Sequence, residues 1–165
     1  MRKVREGPTM KRIPLTRNQF ALVDDEDFKA LSKHKWFAHN ANTNYFYAAT
    51  NIDGKTVLMH RLIMNMHGKN PQQIDHANHD TLDNRKLNLR GCTKQQNAFN
   101  QKMHFDNRSG YKGVTTQKCG KHVVRVTKSR KVYYCGFFVD AKEAALAYNI
   151  KAKELFGEYA LLNVV

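Results

Sequence analysis

The sequence predicts an α+β fold built as two small domains, the second ending in a three-stranded antiparallel sheet packed on one α-helix. Three observations lead there. Short strand-type runs separated by turn residues recur along the chain, helix starts with capping residues fall at Thr93 and Asp140, and a polar, turn-rich stretch at 101–110 separates two groups of elements. A length of 165 residues suits one domain or two very small ones.

In chain order, residues 1–12 (MRKVREGPTMKR) are basic, contain Gly7 and Pro8 and lack periodicity, which reads as a flexible arm. Phe20, Leu22 and Val23 suggest a strand, and Asp27–Lys33 a helical turn. Tyr45–Thr50 and Thr56–Met59 flank Asp53-Gly54, a two-residue hairpin signal. His60–His67 is amphipathic at helical spacing, with Gly68 as its stop and Asn70-Pro71 as a break. A linker is expected at 103–110, dividing a domain at 13–102 from one at 111–165. The second holds the runs YKGVTT, HVVRVT and VYYCGFF, punctuated by Gly120 and a turn at Lys128–Lys131. A helix should follow from Asp140 to Phe156, with Asp140 as N-cap, Glu143 closing a capping box and Gly157 ending it. Its small residues Ala141, Ala144, Ala145 and Ala152 would let it lie close on a sheet.

The formal net charge is +14 and the pI near 9.8, so the expected partner is a polyanion, with nucleic acid ahead of a membrane surface. No apolar run approaches the roughly 20 residues that span a bilayer, and no signal peptide follows the basic start. A soluble, intracellular protein that is not secreted is expected, with no membrane partner and no protein partner implied. Cys92, Cys119 and Cys135 are scattered without a CxxC pair, so neither a disulfide framework nor structural zinc is expected.

The chemistry concentrates between Ile74 and Asn97. Asp75 and His76 end a short strand, and a loop carrying Asn78, Asp80, Asp83 and Asn84 follows. A second strand is expected to carry Asn88 between the buried leucines Leu87 and Leu89, and Thr93 starts a helix with Gln96 as its capping-box partner and Asn97 in its first turn. Such a set can supply what phosphodiester cleavage needs. A hard divalent cation takes oxygen ligands, here the Asp75 carboxylate and the Asn97 amide oxygen. His76 is able to be neutral at pH 7 and accept a proton from the attacking water. Asn88 would hydrogen-bond across the loop and fix the direction of His76. His60 reads as a structural hydrogen-bonder, while Arg61 and Arg85 stay open between internal pairing and phosphate contact.

These residues, HRLIM at 60–64 and IDHANHDTLDNRKLNLRGCTKQQNAFN at 74–100, resemble the HNH branch of the ββα-metal (His-Me finger) nucleases, especially phage and intron-encoded homing endonucleases. The intervals of twelve residues from His76 to Asn88 and nine from Asn88 to Asn97 match that family. The resemblance implies a ββα-metal nuclease core with His76 as general base, Asp75 and Asn97 as metal ligands and Asn88 orienting the loop. It further implies Mg²⁺-dependent hydrolysis of double-stranded DNA to 5′-phosphate and 3′-hydroxyl ends, in a phage-infected or bacterial cell. The chain departs from the family at Ala77, where a larger apolar residue is usual, and at His79, where glycine is usual. Two rivals are a non-catalytic DNA-binding regulator keeping a dead core, and an RNA-binding protein; the second is disfavoured because the aromatic positions carry no RNA-binding signature.

From Tyr111 to Cys135 there are seven basic residues and no acidic ones. Strand alternation would send Val114, Val124 and Val126 to one face and leave charged and aromatic side chains on the other, a surface suited to a DNA groove. The segment resembles the plant ethylene-response-factor (APETALA-type) DNA-binding domain through Tyr111-Lys112-Gly113-Val114, Lys121-His122, Tyr134-Cys135-Gly136-Phe137-Phe138, AKEAALAY at 141–148, and Phe156-Gly157 through Leu162-Asn163. Lys112 and Thr115 stand where that family usually has arginine, and His122 and Tyr134 where it has tryptophan. The DNA-binding residues expected are Lys112, Thr115, Lys121, His122, Arg125, Lys131 and Tyr134.

Overall fold

The structure, a computed structural model, describes residues 9–42, 45–66 and 72–165. It mixes helices with several small antiparallel sheets and divides into two compact units, Met1–Cys92 and Thr93–Val165.

In the first unit, β1 (Met10–Pro14) pairs antiparallel with β2 (Phe20–Asp24), setting Ile13 opposite Ala21. Residues 10–12 therefore belong to a strand and not to an arm. Their side chains, Met10 included, are exposed while their backbone groups join the ladder, so the basic composition hid the pairing. Residues 1–8 of the expected arm lie outside the described residues. Helix α1 (Asp25–Leu31) follows, and the Trp36 indole N–H donates to the Leu31 carbonyl at 2.8 Å. Strands β3 (Phe37–Asn42), β4 (Tyr45–Ile52) and β5 (Lys55–Leu58) form an antiparallel sheet in that order. The β4–β5 turn places Asp53 at φ 48° and Gly54 at φ 73°, the doubly left-handed turn that Asp-Gly favours. Ile13, Ala21, Val23, Leu31, Trp36 and Met59 belong to the shared core.

Helix α2 (Met59–Ile63) is shorter than the expected His60–His67. Its cap is Met64, and Asn65 enters the left-handed region at φ 51°, which asparagine tolerates better than most residues. Gly68 and Asn70-Pro71 lie outside the described residues. Strands β6 (Gln73–His76) and β7 (Leu89–Cys92) pair antiparallel, with Asp75 opposite Arg90 and His76 opposite Leu89. The loop between them is tied to β2: Leu22 N–H donates to the Leu82 carbonyl and Asn84 N–H to the Leu22 carbonyl, both at 2.8 Å. The N-terminal strands thus brace the loop that follows His76.

The second unit begins with α3 (Lys94–Phe99), capped by the reciprocal Thr93/Gln96 box that the sequence announces. Strands β8 (Val114–Thr116), β9 (His122–Lys128) and β10 (Lys131–Phe138) form a sheet in the order β10-β9-β8, and α4 (Ala141–Phe156) packs on it. Asp140 caps α4 by accepting the backbone N–H groups of Lys142 and Glu143. Val114, Val124 and Val126 meet Ala144, Tyr148, Ala152 and Phe156 in the core. Gly113 is required where it stands: its φ is 74°, and a β-carbon there would lie 2.1 Å from the Tyr148 ring.

The units divide after Cys92, upstream of the expected linker at 103–110, because α3 is bound into the second core. The Phe99 ring stacks on Phe156 at 3.9 Å between centroids and 17° between planes. Lys112 Nζ donates to the carbonyls of Phe99 and Gln101 at 2.7 and 2.6 Å, and Gln95 Nε2 to the Ser129 hydroxyl at 2.7 Å. The 101–110 stretch has neither helix nor strand, yet Asn107 and Ser109 side chains bond the Tyr111 carbonyl. No helix among the described residues is long and apolar enough to cross a membrane.

Candidate functional site

Asp75 and His76 are the last two residues of β6, and both are buried, at 7% and 5% exposure. Burial of an acid demands compensation, and β7 supplies it. Arg90 Nε and Nη2 donate to Asp75 Oδ2 at 2.9 and 2.7 Å. Sequence reasoning did not single out Arg90, because its role depends on a cross-strand register that no local pattern states.

Asn88 sits immediately before β7, not within a strand, because the chain turns there: Asn88 N–H donates to the Arg85 carbonyl at 2.8 Å. Leu87 is accordingly 74% exposed, contrary to the expectation of two buried neighbours, while Leu89 is 6% exposed. Asn88 still clamps the loop. Its Oδ1 accepts from Asn78 N–H at 2.9 Å, its Nδ2 donates to the Asp83 carbonyl at 2.7 Å, and its own carbonyl accepts from Ala77 N–H at 2.9 Å. The residue directly after His76 is thus fixed by Asn88. Buried Asp83 anchors the same loop, with its carboxylate accepting from Arg85 Nε and Nη2 at 2.7 and 2.6 Å and from Asn78 Nδ2 at 2.9 Å. Burial pushes that carboxyl up, but the bonds from Arg85 and Asn78 outweigh it and hold it below the usual range. Arg85 is therefore paired inside the fold, and Arg61 Nη1 donates to the Met66 carbonyl at 3.0 Å. His79 occupies a left-handed position at φ 64°, which accounts for the usual preference for glycine there.

The His76 ring is framed by aromatic neighbours. His60 meets it nearly perpendicular, at 88° and 5.1 Å, and Tyr47 lies 6.0 Å away and 5.5 Å from His60. Burial lowers the His76 pKa, opposed by a hydrogen bond with Asn84 and by the charges of Asp75, Asp80 and Asp83. A neutral imidazole at pH 7 is the outcome, the form able to accept a proton. Burial, then the positive charge of a protonated His76 and of Arg61, pushes His60 down to about 3. Tyr47 carries no signal in the sequence, and Asn84 reads there only as a loop residue, since their positions beside His76 are set by packing across elements.

The His60 environment predicts acid sensitivity. Its folded pKa of about 3 lies below the ordinary 6.5, so the unfolded chain binds the extra proton. This contribution to stability is whole above the ordinary value and is lost as pH falls from there toward the folded value. Urea midpoints should fall between about pH 7 and pH 4, and fall less in His60→Phe. Equal falls in both proteins would assign the acid sensitivity to another group.

Asn97 lies on α3 and so in the second unit, whereas Asp75, His76 and Asn88 lie in the first. Among the described residues, no group of three or more His, Cys, Asp or Glu is placed to hold a metal. Asp75 and Asn97, each within its own unit, offer a hard oxygen donor, the ligand type that Mg²⁺ takes. In kind, the residues fit such an ion.

The expected DNA-binding residues separate on the sheet. Arg125 stands directly opposite Tyr134, both exposed, and Thr115 is exposed opposite Val123. Lys121 is exposed just before β9, and Lys131 is exposed with its Nζ 5.1 Å from the Tyr133 ring centre. His122 differs: it shares the alternation of Val124 and Val126, is half-buried, and contacts Thr116 Oγ1 through Nδ1 at 3.1 Å. Lys112 differs more. Its Nζ donates to the carbonyls of Phe99, the last residue of α3, and of Gln101, and burial lowers its pKa to about 8. Its ammonium group is thus engaged within the second unit, unlike the exposed cations of the sheet.

The HNH endonuclease family model matches residues 57–99, a span that contains Asp75, His76, Asn88, Arg90 and Asn97. A relative described as an uncharacterized HNH endonuclease, L560 of Acanthamoeba polyphaga mimivirus, is 32% identical over 150 residues, covering 88% of this chain and 75% of the relative. The shared span thus takes in both units, and this chain belongs to the HNH endonuclease family.

Proposed function

We propose that the chain is a divalent-metal-dependent DNA endonuclease of the homing or nicking type, and that its C-terminal module binds the target DNA. The observation that carries the reading is His76, a buried imidazole kept neutral at pH 7 beside Asp75, inside the family-matched segment. In this reading His76 takes the proton from the attacking water. Asn88 holds Asn78 and Ala77, and through them the direction in which the chain leaves His76. Asp75 and Asn97 would hold the metal, which when bound supplies charge compensation at the phosphate and leaving oxygen. Incubation with supercoiled plasmid should give nicked or linear product with Mg²⁺ and none with chelator. Intact plasmid under both conditions would sink the proposal.

The C-terminal module is proposed to read DNA as APETALA-type domains do. A three-stranded sheet backed by α4 supports this, as does an outer face on which Arg125 and Tyr134 stand side by side. If Arg125 and Lys121 neutralise phosphates, replacing each with alanine should make the log–log salt slope of binding shallower by about 0.9. Lys112→Ala should leave the slope alone and lower stability. An unchanged slope for Arg125→Ala and Lys121→Ala in a filter-binding titration would put the DNA surface elsewhere.

A further inference from the structure

The Asp75 carboxylate already has a cation. Asp75 stands directly opposite Arg90 across β6 and β7, and two guanidinium N–H groups converge on a single oxygen, Oδ2, at 2.9 and 2.7 Å. Both side chains are shielded from water, Asp75 at 7% exposure and Arg90 at 20%. Such charge-assisted bonds are strong, and in a shielded site removing one partner leaves the other poorly compensated. The pairing neutralises the very charge that a metal ligand offers, and it sets a fixed positive group beside the place where a dication would bind. Like charges at that range repel more strongly in a shielded site than in water.

We propose that Arg90 is a placeholder counter-ion that competes with the divalent ion for Asp75. It satisfies the buried carboxylate in the metal-free protein and loosens its hold on Oδ2 when metal arrives, so it sets the metal concentration at which the site fills. The inference rests on the reading of Asp75 as a metal ligand. Arg90 is in this account a positioning residue, acting through Asp75 and not on the substrate.

The test is calorimetric titration of Mg²⁺ or Mn²⁺ into the full chain as wild type, Arg90→Gln and Asp75→Asn, without DNA. Arg90→Gln keeps a polar side chain of similar reach and removes the charge. It should bind the ion on the order of tenfold tighter than wild type, while Asp75→Asn should bind far more weakly. If Asp75→Asn loses binding but Arg90→Gln binds no tighter than wild type, the competition is wrong and the ligand assignment stands. If Asp75→Asn binds as tightly as wild type, both fall. Should Arg90→Gln fail to fold, the wild type decides by NMR. The Arg90 Nε–H signal should shift and exchange faster with water on saturation with Mg²⁺, and an unmoved, still protected signal overturns the proposal.

Discussion

His76→Ala is expected to lower plasmid nicking by about 10²–10⁴-fold, the usual cost of losing a general base, while DNA affinity stays near the wild-type value. The two properties separate because the proton acceptor ends β6 in the first unit, whereas the exposed basic residues proposed to bind DNA lie on the sheet of the second. Asp75→Ala should also abolish nicking, through the metal, so high Mg²⁺ should recover part of its defect and none of the His76→Ala defect. The wild-type rate should fall with acidification only below the ordinary histidine value, because burial lowers the His76 pKa and the neutral form is the competent one. Folding is checked by circular dichroism at the same time. A folded His76→Ala protein that nicks at the wild-type rate would exclude His76 as the general base, whereas a wild type that binds DNA and never nicks it would favour the DNA-binding regulator.

Ending the chain at Asp106 is expected to lower Mg²⁺-dependent nicking by about 10–100-fold, although the whole family-matched span is retained. The reason is α3. Six residues are too few to form a helix alone in water, and this one is held by its Thr93/Gln96 cap, the stack of Phe99 on Phe156 and the two bonds from Lys112. Truncation deletes all but the cap and leaves Asn97 on an unsupported segment. Phe156→Ala tests the same dependence in the full chain. Losing a buried phenyl ring typically costs about 3–5 kcal/mol, which should appear as a lowered midpoint for the second unit. If the truncated protein folds and nicks as well as the full chain, α3 needs no support from the sheet and α4.

What the sequence determined by itself was local. The Asp53-Gly54 turn, the Thr93/Gln96 box, the Asp140 cap and the Gly157 stop each involve groups a few residues apart, so their side chains state the backbone geometry directly. The ordered spacing of Asp75, His76, Asn88 and Asn97 was likewise legible, and it led to the HNH endonuclease family. Only the tertiary structure decided what each of these residues touches. Arg90 reaches Asp75 because β6 and β7 pair in one register, and a one-residue slip would turn the guanidinium to the other face. Lys112 looked like one more surface cation until α3 came to end beneath it with bare carbonyls to satisfy. The N-terminal strands carry no chemical signature, yet β2 holds the 82–84 stretch of the loop after His76 by two backbone bonds. Backbone groups are alike in every residue, so such bonds leave no trace in composition or pattern. They appear only when burial in the core has brought distant segments together.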